Sequence, residues 1–282
     1  MAQIWKGAPV AVALSQQLTA RTARLKAAGV VPTLAILRVG QRPDDISYET
    51  GAIKRCQQIG VQVRQFLLPA QCQREDLLDT IEQINRDTTI HGCLMFRPLP
   101  DRDAEAAACA LLSPEKDVDC MTSGSLASVF TGAGAGYPPC TAQACIELLD
   151  HYQVPLSGKR VSVIGRSLVI GRPVSMMLQR RDATVTMCHT KTENLPTVCR
   201  NADILLAAAG RAGIVDERFV RPGQIVVDVG INVGPDGKLC GDVRFDAVAP
   251  IVEAITPVPG GVGSVTTAVL VKHVVEAAEK TL

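Results

Sequence analysis

Aromatic side chains are scarce in this sequence: one Trp, three Tyr and five Phe among 282 residues. An interior so short of rings is filled by Val, Ile, Leu and Ala, and buried parallel strands read as such aliphatic runs. An excess of one charge is also missing. The 29 Lys and Arg almost cancel the 28 Asp and Glu, for a formal net charge of +1. That balance excludes a general nucleic-acid binder, which needs a basic surface to neutralise phosphates. No apolar run reaches the ~18 residues of a membrane span. The N-terminus lacks a basic region followed by an apolar core and cleavage site, so no secretory signal is expected. Cys-x-x-Cys does not occur, and among ten cysteines only Cys140 and Cys145 lie close in sequence. A disulfide scaffold is short and loop-rich, and zinc needs clustered ligands that the four histidines do not supply. The expectation is buried free thiols in a reducing cytoplasm and no metal.

What is present is 47% hydrophobic residues, too many for a disordered chain and enough for one large or two modest domains. The patterning predicts a helix to about residue 28, a strand at 33–39, a helix at 45–59 and a strand at 61–68. A helix at 75–85 and a strand at 91–96 follow. Residues 122–139 carry four glycines and read as loop. A helix at 141–152 opens a second alternating series. Its strands are expected at 161–164, 183–187, 204–207 and 224–229, with helices at 171–180 and 265–280. Alternation of this kind implies parallel βαβ units, hence an α/β fold in two domains. Residues 1–140 with 264–282 are assigned to an N-terminal domain, the last helix packing back on it, and 141–263 to a Rossmann-type domain.

Val161-Ser-Val-Ile-Gly165-Arg166-Ser167, followed by Gly171-Arg-Pro173, reads as a strand, a glycine turn and a helix start. Gly165 allows backbone to approach a pyrophosphate, and the helix N-terminus offers N–H groups and a positive dipole end. The pattern is not G-x-G-x-x-G, and an ordinary βα turn is the alternative. The end of the next strand discriminates further. An NAD site places Asp or Glu there to hold the ribose 2′-hydroxyl, whereas this chain has Cys188-His189-Thr190-Lys191. With Arg166 in the turn, a 2′-phosphate is accommodated and NADP is favoured over NAD. His189 and Lys191 are equally compatible with ordinary loop roles.

These segments resemble the bifunctional methylenetetrahydrofolate dehydrogenase/cyclohydrolase family. So do Asp228-Val-Gly-Ile-Asn232, Gly241-Asp-Val243, Ile255-Thr-Pro-Val-Pro-Gly-Gly-Val-Gly263, Lys116-Asp-Val-Asp119, Pro139-Cys-Thr141, Tyr48 and Arg97-Pro-Leu-Pro100. The resemblance covers nearly the whole chain in order. It implies a substrate cleft between two α/β domains, NADP chemistry, a folate substrate and a homodimer. Residue by residue, it implies cofactor contacts at Gly165, Arg166, Ser167, Thr190 and Ile231. Tyr48 and Asp119 become catalytic and substrate-binding, Asp119 holding the pterin ring. Ala52, Phe96, Pro259, Gly260, Gly261, Val262 and Gly263 are placed at the substrate.

The departures concentrate on the folate side. The family's Tyr-x-x-x-Lys ends at Ala52 here. Lys54, six residues from Tyr48, points about 240° around the helix and cannot replace the missing ammonium. The family's Gln before Leu-Pro-Leu-Pro is Phe96, followed by Arg97, and Asp45 and His91 replace further family residues. Hydride transfer mainly demands orientation, whereas hydrolysis of the methenyl bridge needs proton transfers that the family lysine tunes. The resemblance with these departures implies a dehydrogenase with weak or lost cyclohydrolase activity. Two alternatives stand. One is an NADP-dependent oxidoreductase on another reduced pterin or small molecule, with Asp45, His91, Phe96 and Arg97 defining its pocket. The other is a catalytically silent NADP-binding paralogue.

Overall fold

The structure is a computed structural model that describes residues 2–235 and 237–282. Along the chain run β1 (Gln3–Ile4), α1 (Gly7–Ala27), β2 (Thr33–Val39), α2 (Pro43–Ile59), β3 (Gln62–Leu68), α3 (Arg74–Arg86), β4 (Gly92–Met95), α4 (Arg102–Leu111), α5 (Ser123–Thr131) and α6 (Cys140–His151). Then come β5 (Arg160–Ile164), α7 (Gly171–Gln179), β6 (Thr184–Cys188), α8 (Leu195–Arg200), β7 (Ile204–Ala207), β8 (Ile225–Asp228), β9 (Asn232–Val233), β10 (Leu239–Cys240), α9 (Phe245–Val248), β11 (Ala254–Ile255) and α10 (Thr266–Glu279). The chain divides into two compact units. One holds residues 12–140 with 267–282, the other the residues up to Ala11 with 141–266.

In the first unit a parallel three-stranded sheet has the order β3-β2-β4. The central strand β2, TLAILRV, is buried along nearly its whole length, as an aliphatic run between two neighbours should be. β3 alternates between half-buried and exposed positions, as suits an edge. The helix ends follow local chemistry. Pro43 opens α2 with Asp44 and Asp45 in the first turn, and Gly60 closes it at φ 89°. A reciprocal pair between Gln73 and Asp76 caps α3. The core gathers Leu37, Ile81, Ile84, Ile90, Cys93 and Met95.

Two expectations are corrected. Residues 122–139 are not all loop, since α5 occupies nine of them. Its sequence, SGSLASVFT, has no apolar period, but Thr122 caps its start through Ser125 N–H and Gly132 ends it. Residues 1–11 do not belong with the first unit. β1 pairs in parallel with β11, as a two-residue edge strand too short to show periodicity.

The second unit carries a six-stranded parallel sheet in the order β1-β11-β8-β7-β5-β6, with β9 and β10 as a separate antiparallel hairpin. From β5 the chain steps outward to β6, then returns to build β7 and β8 on the other side. The order therefore reverses between β5 and β7, and the carboxyl ends of those strands form the topological switch point where open α/β sheets bind ligands. All ten cysteines are free, and Cys72, Cys109 and Cys240 are half-buried rather than buried. Among the described residues no helix is long and apolar enough to cross a membrane.

Candidate active site

At the switch point, Gly165 follows β5 directly and adopts φ 126°. A Cβ there would collide with the carbonyl oxygen of Ala208, the residue after β7. Only glycine lets these two strand ends close on each other. Arg166 and Ser167 stand exposed on the turn, and Ser167 Oγ accepts the Ile170 N–H at 3.1 Å. α7 then starts at Gly171, its positive dipole end beside the turn. An exposed guanidinium, an exposed hydroxyl and a helix N-terminus at a switch point fit a dinucleotide phosphate. At the end of β6, Thr190 is exposed, while His189 is spent on the local turn. Its Nδ1 accepts the Lys191 N–H at 3.2 Å and its main-chain N–H donates to Thr192 Oγ1 at 2.9 Å.

A groove of about 280 Å³ in the same unit brings Ile231, at the end of β8, together with Pro259, Gly260, Gly261, Val262 and Gly263. Ile231 is 67% exposed, an apolar side chain offered to solvent. Pro259, Gly260 and Gly263 are exposed as well. Val262, which also lines the groove, is only 2% exposed. Beneath lies a pair of buried acids to which sequence reading gave no role. Asp228 accepts N–H bonds from Gly230, Asp242 and Val243 at 2.9–3.0 Å. Burial still pushes its carboxyl up to about 6, against the pull of those donors. The signal in the sequence was two acids flanked by glycines, Gly230 and Gly241, whose missing side chains leave room for the carboxylates.

In the first unit the catalytic-side residues sit on α2 and after β4. The inward face of α2 carries Asp45, Glu49, Ala52, Cys56 and Ile59. Glu49 fastens this face to the sheet. Its carboxylate pairs with Arg38 Nε of β2 at 2.6 Å and accepts from Gln65 Nε2 of β3 at 2.5 Å. Tyr48 is half-buried at the border of that face. Its ring meets Phe96 edge-on, centroids 6.1 Å apart. Ala52 is 0% exposed. It therefore offers no surface to a ligand, which corrects its assignment as a contact residue; what it contributes is the absence of a charged group one turn from Tyr48. Lys54 is exposed on another face.

The Lys116-Asp-Val-Asp119 segment divides its labour. Lys116 Nζ donates to the carbonyls of Ile84, Asn85 and Asp87 and so ties down the end of α3. Asp117 accepts from the N–H groups of Met121 and Thr122. Of the two acids only Asp119 keeps some exposure; it accepts the Cys140 N–H at 2.9 Å. Desolvation raises its pKa, and the nearby Arg97 charge pulls the other way. His91, a candidate lining residue under the alternative substrate, is buried, and its Nδ1 accepts the Thr33 N–H at 3.2 Å. That bond ties it to the start of β2.

A two-unit α/β chain with a phosphate-type turn at a switch point defines the class as a dinucleotide-dependent enzyme fold. The NAD(P)-binding domain of tetrahydrofolate dehydrogenase/cyclohydrolase matches residues 139–282 and the catalytic domain of the same enzymes matches residues 5–119. A protein called bifunctional protein FolD from Carboxydothermus hydrogenoformans is 54% identical over 281 residues, covering 99% of this chain and 98% of its own. The crystal structure of the bifunctional FolD enzyme of Campylobacter jejuni superposes with a TM-score of 0.95 at 34% identity over the full length of both chains. The FolD of Trypanosoma brucei, solved with NADP cofactor and an inhibitor, gives a TM-score of 0.91 at 33% identity, covering 99% of this chain and 98% of its own. This chain belongs to the tetrahydrofolate dehydrogenase/cyclohydrolase family.

Proposed function

We propose that this protein is an NADP-dependent methylenetetrahydrofolate dehydrogenase whose cyclohydrolase activity is weak or lost. The observation that carries the reading is the contrast at Tyr48. The ring is met by Phe96, and the helix position one turn on is a fully buried alanine, while the phosphate turn keeps glycine, arginine and serine. NADP rather than NAD is supported by the exposed Arg166 and by the lack of an acid between Cys188 and Lys191.

NADP, when bound, would supply the acceptor for the hydride of the methylene carbon. The chain's own part in that step is orientation. Gly165, Arg166, Ser167 and Thr190 hold the phosphate and ribose end, and Ile231 supplies an apolar wall. Asp119 accepts hydrogen bonds from the pterin ring, and Tyr48 packs on the substrate together with Phe96. No side chain must exchange a proton. Hydrolysis of the methenyl bridge does require such exchange, and the Tyr48 neighbourhood pairs an aromatic ring with a methyl group where an ammonium and an amide would serve it. The family resemblance supports a homodimer working in the cytoplasm.

A paired assay on one preparation tests the reading. NADP reduction by methylenetetrahydrofolate is expected at a normal rate, with methenyl hydrolysis slower by roughly 100-fold, within the about 10²–10⁴ contributed by general acid–base groups. Comparable rates would reject it. Ala52→Lys with Phe96→Gln should raise hydrolysis by roughly tenfold, a modest part of that range because the new ammonium enters a buried face. Hydride transfer confined to another reduced pterin would establish the changed substrate, and none with any folate a silent paralogue.

A further inference from the structure

Asp242 is wholly buried, and its carboxylate gathers four donors from two chain segments. Oδ2 accepts the N–H groups of Ala209 at 2.5 Å and Gly210 at 3.0 Å. Oδ1 accepts the Arg211 N–H at 2.9 Å and the Asn232 side-chain amide at 2.9 Å. The carboxylate is itself held in place, since the Asp242 N–H donates to Asp228. Gly230 and Gly241 clear the space, for a Cβ on the former would strike the Asp242 carboxylate and on the latter that of Asp228.

On the NADP reading above, the two segments fastened this way flank the cofactor seat. Residues 208–211 continue β7 at the switch point, and the Ala208 carbonyl is the group against which Gly165 closes. Asn232 follows Ile231, which lines the groove with Pro259 and Gly260. Three consecutive main-chain N–H groups converging on one carboxylate give that loop a single conformation. We infer that Asp242 is a positioning residue for the NADP seat: through the 209–211 loop and Asn232 it sets the spacing between the phosphate turn and the Ile231 wall. It touches no ligand. The inference rests on the NADP reading above and extends it to a residue behind the site.

The experiment uses the full chain and NADPH binding followed by cofactor fluorescence, alongside steady-state KM values. Wild-type binding comes first, because its failure would count against the cofactor reading and not against Asp242. Asp242→Asn keeps the shape but turns one oxygen into a donor, so that donor meets donor on whichever side the amide points. The NADPH Kd should rise at least roughly tenfold, as expected for loss of a charge-assisted hydrogen bond, with the KM for the folate substrate within about twofold. A merely structural acid would lower the unfolding midpoint and leave the two constants moving together. An unchanged NADPH Kd, or equal rises in Kd and folate KM, overturns the inference. Should Asp242→Asn not fold, Asn232→Ala removes only the side-chain tie. It should raise the NADPH Kd roughly threefold with an unaltered unfolding midpoint, and an unchanged Kd there overturns the inference equally.

Discussion

The buried acids beside the cofactor groove and on α2 are held by different means, although Asp117 of the first unit also draws on main-chain N–H groups. In the second unit, Asp228 and Asp242 are satisfied almost wholly by main-chain N–H groups. In the first, Glu49 depends on two side chains, Arg38 and Gln65. A seat made by the backbone survives substitution of most side chains around it, because every residue but proline brings the same N–H. A site made by side chains changes chemistry one residue at a time.

The sharpest way to break the comparison is to attack the backbone-made seat itself. Gly165→Val forces a side chain into the Ala208 carbonyl at a positive φ. It should weaken NADPH binding by roughly 100-fold or more, the equivalent of the few kcal/mol of a strained, colliding site; titration by cofactor fluorescence measures this. Near-normal affinity would show that the turn does not depend on glycine. Next in size, Glu49→Ala strands the Arg38 guanidinium, which is only 11% exposed. Removal of one partner of a buried pair costs about 3–5 kcal/mol, so denaturant unfolding should show a loss near 3 kcal/mol. NADPH affinity should stay unchanged, since α2 lies in the other unit.

Acid should act with opposite sign through two buried groups, His273 of the first unit and Asp228 of the second. Burial lowers the His273 imidazole to about 4 from an ordinary 6.5, so the unfolded chain binds more protons between those values. Through His273 the first unit therefore loses stability as pH falls from 6.5 to 4. Burial pushes Asp228 up to about 6 from 3.8, so there the folded state binds more protons, and through this group the second unit gains stability as pH falls from 6 to 4. Each effect is bounded by about 3 kcal/mol, from 1.36 kcal/mol per pKa unit. Hydrogen exchange followed peptide by peptide at pH 6.5 and 4.5, corrected for intrinsic rates, should show α10 less protected and β8 more protected in acid. A change of the same sign in both would contradict the assignment.

The long aliphatic strands were legible because burial on both faces leaves a mark in composition. β2 and β7 begin and end where the pattern of apolar residues says. Short elements were not. The two residues of β1 and of β11 carry no period, and α5 hides among small residues behind its caps. At the candidate site the sequence located the Gly165 turn. It did not reveal that Ala52 is shut away, that His91 is occupied by Thr33, or that Asp242 binds a loop some thirty residues earlier. Each of these depends on which face of an element meets the sheet or on a contact distant along the chain, and residue type alone carries neither.

The pairing of β1 with β11 has a consequence for how the protein is made. Gln3 faces Ala254 and Ile4 faces Ile255, so this edge of the sheet joins residues about 250 positions apart, from opposite ends of the chain. Strands β5 to β8 can associate as soon as they leave the ribosome. The edge at β11 stays open until synthesis has passed Ile255 and the first residues return to cover it. During that interval the nascent chain presents an unpaired strand edge, the kind of surface on which partly made proteins associate wrongly.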